Sequence, residues 1–206
     1  MSGDFIYLAS QSPRRAELLR QLGVRFEVVH AAVDESIQYA ESPDQYVLRV
    51  AREKAEAVLA ALSGKADRPL LAADTAVTLD GHILGKPRDR ADGLAMLARL
   101  SGRTHQVLSG LAVWTPYGLR QALSTSTVAF RTITPEEAVI YWDSGESADK
   151  AGAYAIQGRG AVFVEHLEGS YSGVVGLPLY ETAQLLRAAG VPVLGGDNVK
   201  EVRREA

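Results

Sequence analysis

Residues 5–29 read FIYLASQSPRRAELLRQLGVRFEVV, and this stretch decides the fold class. The apolar run from Phe5 to Ala9 has the length of a buried strand. Ser12 suits a helix N-cap. Pro13 suits the first helical position, where its fixed φ helps and its missing N–H costs nothing. Leu18, Leu19 and Leu22 then share one helical face, and Gly23 can end the helix. Phe26 to Val29 reads as a second strand. The order is strand, loop, helix, strand, the opening of an α/β protein.

The alternation continues outward. Ser42-Pro43-Asp44-Gln45 has the form of a capping box and predicts a helix to about Leu62. Its apolar stripe is Val47, Val50, Ala51, Ala55, Val58, Leu59 and Leu62. Leu70 to Ala73 reads as a buried strand, and Asp80-Gly81 as a hairpin turn. A helix is expected over 91–100, closed near Gly102. Two longer strands, 107–114 and 123–130, join around Tyr117-Gly118. Thr134-Pro135-Glu136-Glu137 is a second capping box, for a helix ending near Gly145. A strand over 161–166 and a helix over 179–189 complete the pattern. No internal repeat or linker appears, so residues 1–195 are expected to form a single domain with a mixed sheet. The strand-rich middle can form a second lobe, and 196–206 a loose polar tail.

Composition narrows the function. Of 206 residues, 47% are hydrophobic and 23% charged, with a net charge of −3. That balance argues against a protein held to nucleic acid by a broad basic surface, but leaves room for a small anionic ligand on a local basic cluster. Without cysteine there is no disulfide, zinc–thiolate site or thiol nucleophile, which fits a reducing cytosol. No run is long and apolar enough to span a bilayer, and MSGDFIYLAS has no signal-peptide pattern. The expectation is a cytoplasmic protein with no membrane partner.

Polar residues stand where packing alone would not place them. Ser10-Gln11-Ser12-Pro13-Arg14-Arg15 follows a strand and opens a helix, where free N–H groups and the dipole favour an anion. Two arginines in a first turn oppose that dipole unless an anion neutralises them, and their fork of donors matches phosphate. Lys54 lies within an apolar stripe; it either snorkels outward or points a charge into a cleft. Asp74-Thr75 directly follows a buried run, at what reads as the carboxyl end of a strand, where open α/β sheets place ligands. Turn formation is the alternative. Asp34-Glu35 is either a solvated acidic loop or a pair of oxygen ligands for a hard cation. Gly85-Lys86-Pro87 can be a simple turn, and it lacks P-loop spacing. In 149–158, DKAGAYAIQG, small residues permit close backbone approach, and Gln157 can read a base edge. His30, His82, His105 and His166 are scattered and read as structural or surface residues. Serine-hydrolase and dinucleotide fingerprints are absent.

Together these segments resemble the Maf nucleotide pyrophosphatase family from Leu8 to Leu186. The resemblance rests on LASQSPRR at 8–15, Asp34-Glu35, AREKA at 51–55, ADT at 73–75 and GKP at 85–87. It continues through LSGRTH at 100–105, DKAGAYAIQG at 149–158 and VVGLP at 174–178. It implies a two-lobed fold with a mixed, elongated sheet, helices on its faces and a central cleft. It also implies a homodimer and hydrolysis of a nucleoside triphosphate between the α- and β-phosphates, with Mg²⁺ or Mn²⁺. By the same resemblance, Asp74 is the general base. Ser10, Arg14, Arg15, Lys54 and Lys86 hold the triphosphate, and Glu35 and Asp74 are associated with the metal. Arg14, Thr75 and Gln157 match three selectivity positions of the branch acting on dTTP and UTP. The branch acting on 7-methyl-GTP has glutamate before the glycine that here is Gly158. Ala155 departs from the family's pattern, where glycine is expected, and its methyl narrows the pocket slightly. The rival readings are a nucleotide-binding regulator of cell division, from the family's ties to septum formation, a 7-methyl-GTP or purine-type pyrophosphatase, and a phosphatase that removes the terminal phosphate.

Overall fold

The computed structural model describes residues 5–62 and 67–194. The expected tail at 196–206 lies outside the described residues. The order is β1 (Ile6–Ala9), α1 (Pro13–Gln21), β2 (Phe26–Val29), α2 (Pro43–Ala61), β3 (Leu70–Leu79), β4 (His82–Leu84), α3 (Arg90–Leu100), β5 (Thr104–Thr115), β6 (Gly118–Phe130), α4 (Pro135–Asp143), β7 (Val164–Glu168), α5 (Tyr171–Val175) and α6 (Leu179–Ala188). The fold is α/β around one mixed seven-stranded sheet ordered β2-β1-β3-β5-β6-β7, with β4 paired to β3 off that path.

Local chemistry explains most boundaries. Gln45 accepts a hydrogen bond from the Ser42 N–H at the start of α2, and Thr134 and Glu137 cap α4 reciprocally. The β3–β4 hairpin turns on Asp80 (φ 53°) and Gly81 (φ 76°), the left-handed pair that a type I′ turn requires.

β3 is longer than its apolar run predicts. It continues through Asp74 and Thr75 to Leu79 because β5 pairs with it antiparallel along nearly its whole length. Asp74 is therefore mid-strand, not at a strand end. The expected strand over 161–166 is also shifted. Residues Arg159–Phe163 form a 3₁₀ turn, and β7 begins at Val164. The amides of Arg159 and Gly160 bond to the Glu146 carboxylate, which removes them from any ladder.

The opposite edge of β3 positions the site. β1 runs parallel to β3 and pairs with residues 70–72, while β4 pairs with residues 77–79. Between them, residues 73–76 face an opening in the sheet, just past the carboxyl ends of β1 and β2. The core is divided around this gap. On one side, α1, α6 and β1–β3 enclose Leu8, Leu19, Leu71, Leu111, Leu177 and Leu186. On the other, α3, α4 and the distal sheet enclose Leu97, Leu100, Val128, Phe130, Tyr141 and Phe163. α2 covers a third cluster and packs closely on β5: a Cβ at Gly110 would lie 2.4 Å from the Val47 carbonyl oxygen.

Candidate active site

The opening in β3 leads into a cleft of about 810 Å³, within the ordinary range for small-molecule sites. Ser10, Arg14, Arg15, Glu35, Lys54, Asp74, Thr75, Lys86 and Gln157 all line it. Successive strand residues point to opposite faces of a sheet. Asp74 faces α2, and Thr75 faces α1 and α5. Both reach one cleft because, among the described residues, no strand covers that edge between β1 and β4.

On the α2 side, Lys54 Nζ lies 2.7 Å from Asp74 Oδ1 and 2.8 Å from Glu35 Oε1. Its side chain is 16% exposed and that of Asp74 7%, so the lysine points inward and does not snorkel. Glu35 comes from the loop before α2, and Tyr46 fixes that loop by donating its hydroxyl to the Glu35 carbonyl at 3.0 Å. Burial opposes the Glu35 charge, but the bond and charge of Lys54, helped by Lys86 and Arg15, hold its carboxyl below the usual range. Asp34 separates from its neighbour: it is exposed, and its Oδ1 accepts from the Ser36 N–H at 2.9 Å.

On the α1 side, the Arg15 guanidinium is held at three points. Nε donates to the Gly176 carbonyl at 2.8 Å, Nη2 to Thr75 Oγ1 at 3.3 Å, and Nη1 to Ser10 Oγ at 3.5 Å. Burial lowers the Arg15 pKa, opposed by the charges of Asp74 and Glu35. Ser109, on β5 opposite Thr75, donates to the Gly173 carbonyl at 2.8 Å and lies 2.8 Å from Thr75 Oγ1. A carbonyl can only accept, so with Ser109 donating to Gly173 the shorter contacts run Arg15 to Thr75, Thr75 to Ser109, Ser109 to Gly173. The Gly176 carbonyl is a second, longer acceptor for Thr75 at 3.5 Å. Ser109, Tyr46 and the Gly176 carbonyl escape sequence reasoning, because Ser109 sits in an otherwise apolar strand and the carbonyl leaves no residue signature.

The far wall is segment 149–157. Gly152 (φ 68°) and Ala153 (φ 58°) are both left-handed, a costly conformation for alanine. The segment is tied down by the Gly152 N–H to the Gly85 carbonyl at 3.1 Å, beside Lys86. Ala155 sits outside the left-handed region, so its methyl costs no backbone strain. Arg14 Nη1 lies 3.7 Å from Asp149 Oδ2, and Lys150 also bonds Asp149. His105 is not a surface residue: it is buried with Nε2 2.9 Å from the Tyr154 hydroxyl, and burial pushes its pKa down to about 4.

A gapped mixed sheet, two carboxylates on one lysine and a surround of Arg14, Arg15 and Lys86 together define one charged cleft. The chain belongs to the Maf-like protein family, whose model matches residues 5–189. It is 57% identical over 200 residues to a dTTP/UTP pyrophosphatase of Burkholderia thailandensis, covering 92% of this chain and 95% of that protein. Proteins of the same name from Cupriavidus pinatubonensis and Methylobacillus flagellatus are 55% and 52% identical. They cover 90% and 92% of this chain, and 97% and 95% of their own lengths.

Proposed function

We propose that this chain hydrolyses dTTP and UTP to the monophosphate and pyrophosphate, keeping pyrimidine nucleotide pools clean. The observation that carries the chemistry is the meeting of Asp74 and Glu35 on Lys54, in a cleft also lined by Arg14, Arg15 and Lys86. The substrate assignment is supported by the shared name of relatives more than half identical over nearly the whole chain.

Glu35 and Asp74 bring two carboxylates together around the Lys54 ammonium, at 2.8 and 2.7 Å. Mg²⁺ and Mn²⁺ accept one or two carboxylates, with substrate phosphates and water completing the shell. Among the described residues there is no group of three or more His, Cys, Asp or Glu that could hold a metal. Two carboxylates shared with substrate phosphates suit such an ion, and Glu35 and Asp74 are the residues that would hold it. When bound, the cation supplies positive charge against the phosphates.

Arg14, Arg15, Lys86 and Ser10 bind the triphosphate, with the guanidinium of Arg15 held in place by its bonds to Gly176, Thr75 and Ser10. Lys54 holds Oδ1 of Asp74, and the other carboxylate oxygen, beside the cation it would help to hold, accepts a proton from water. That water attacks the α-phosphorus. A new P–O bond forms, the bond to the bridging oxygen breaks, and pyrophosphate leaves. Fixed donors stabilise the developing charge without reorganising. Gln157, exposed on the far wall, reads the pyrimidine edge through its paired donor and acceptor. The reaction takes place in the cytoplasm, where the nucleotide pools are, and the acting form is a homodimer.

The test is a turnover screen of the common triphosphates with Mg²⁺ or Mn²⁺, assaying pyrophosphate and orthophosphate separately. Pyrophosphate from dTTP and UTP, with little from purines, is the expected result. Orthophosphate alone, or no release despite binding, overturns the proposal.

A further inference from the structure

Gln157 lines the cleft from a turn, and a turn positions a side chain only if something holds it. The Ala155 carbonyl accepts from the Gly158 N–H at 3.2 Å, which closes the turn but does not fix it to the body of the protein. That attachment comes from two residues outside the cleft lining. Glu146 follows α4. Its Oε2 accepts from the Arg159 N–H at 2.8 Å, and its Oε1 from the Gly160 N–H at 3.1 Å and the Tyr141 hydroxyl at 2.8 Å. The Tyr141 hydroxyl in turn accepts from the Ala155 N–H at 3.0 Å. The amides on both sides of Gln157 are therefore bound to one carboxylate–phenol pair.

The packing is as tight as the bonding. A Cβ at Gly158 would lie 2.2 Å from Glu146 Oε2, and one at Gly160 would lie 2.8 Å from the Tyr141 hydroxyl and 2.7 Å from the Ala155 carbonyl oxygen. Tyr141 is 4% exposed and packs edge-on against Phe163, with ring centroids 5.1 Å apart. A carboxylate given three donors, in a pocket that glycines keep open, has little freedom to move.

We propose that Glu146 and Tyr141 are positioning residues for base selection: they hold the turn that presents Gln157 to the nucleobase. The inference rests on the reading of Gln157 as the base-reading residue. Neither side chain lines the phosphate-binding wall, so their loss acts on discrimination between bases. Glu146→Gln keeps one acceptor oxygen but turns an amide NH₂ toward groups that donate. Tyr141→Phe removes one oxygen and leaves the Ala155 amide without its partner.

The experiment measures kcat/KM for UTP and for ATP, with enough enzyme to read the slower substrate. It uses the full chain carrying Gln157→Ala, Glu146→Gln, Tyr141→Phe and the double change Gln157→Ala with Glu146→Gln. The expected result is that the UTP-to-ATP ratio falls about ten- to a hundredfold in Glu146→Gln, the scale of a small misplacement of a binding group. In the double variant it falls no further than in Gln157→Ala alone, because both changes act through one side chain. If Gln157→Ala lowers the ratio and Glu146→Gln only lowers the melting temperature, the positioning role is overturned and the Gln157 reading stands. Multiplied losses in the double variant also overturn it. If Gln157→Ala leaves the ratio unchanged, the base-reading role fails and takes the inference with it. Should Glu146→Gln not fold, Tyr141→Phe decides on the same ratios.

Discussion

Asp74→Asn separates the chemistry of the site from its architecture. The amide is isosteric with the carboxylate and keeps a carbonyl oxygen for the Lys54 ammonium, now at 2.7 Å from Asp74 Oδ1. Glu35 still offers its own carboxylate to Lys54 at 2.8 Å. The structural loss is an ion pair weakened to a bond between the Lys54 ammonium and a neutral amide oxygen, about 1–2 kcal/mol. For a chain of this size that lowers the melting temperature by roughly 2–8 °C. The catalytic loss is larger. A general base contributes about 10²–10⁴ in rate, which at about 1.36 kcal/mol per decade is about 2.7–5.5 kcal/mol of barrier. Turnover of UTP is read by pyrophosphate release, stability by calorimetry, and binding by titration with an analogue whose α,β-bridge resists hydrolysis. The variant is expected to fold, bind the analogue and lose at least about a hundredfold in kcat. A kcat near that of the unaltered chain would refute the assignment of Asp74 as base.

Three further outcomes follow from the same geometry. Ser109→Ala breaks the proton order behind Arg15 and leaves the Gly173 carbonyl without its donor. It is expected to cost about 1 kcal/mol, a fall in melting temperature of roughly 2–4 °C, and to raise KM for UTP more than it lowers kcat. Glu35→Gln removes one of the two carboxylates meeting at Lys54, so half-maximal activity should need at least about tenfold more Mg²⁺, the low end of what losing even a residue behind a ligand costs; an unchanged Mg²⁺ titration would remove Glu35 from the metal set. His105 is depressed from 6.5 to about 4 by burial, so between those values the unfolded chain binds a proton that the folded chain excludes. Its stabilising contribution is present above that window and is lost as pH falls through it, about 2 kcal/mol by pH 5. His105→Gln removes the titration, and its melting temperature should fall less between pH 7 and pH 5 than that of the unaltered chain.

What the sequence determined was local. Thr134 and Glu137 cap α4 three residues apart, and Asp80-Gly81 turns a hairpin by its own backbone preferences, so both are legible without a partner. The site residues were legible as polar types interrupting apolar patterns: Ser10, Arg15, Lys54 and Asp74 could be singled out, though not joined. Tertiary structure decided the rest. Asp74 reads as a strand end because the apolar run stops there, yet β5 carries the strand onward through nonlocal pairing that no single segment encodes. Lys54 could have snorkelled; it turns inward because two carboxylates from distant segments compensate its burial. Glu146 carries no motif of its own, and its role exists only where the amides of Arg159 and Gly160 fold back onto it. The gap at residues 73–76 of β3 depends on where two other strands stop. Periodicity and caps act over a few residues and are written in the chain, whereas a cleft is the space that separate elements leave uncovered when they pack.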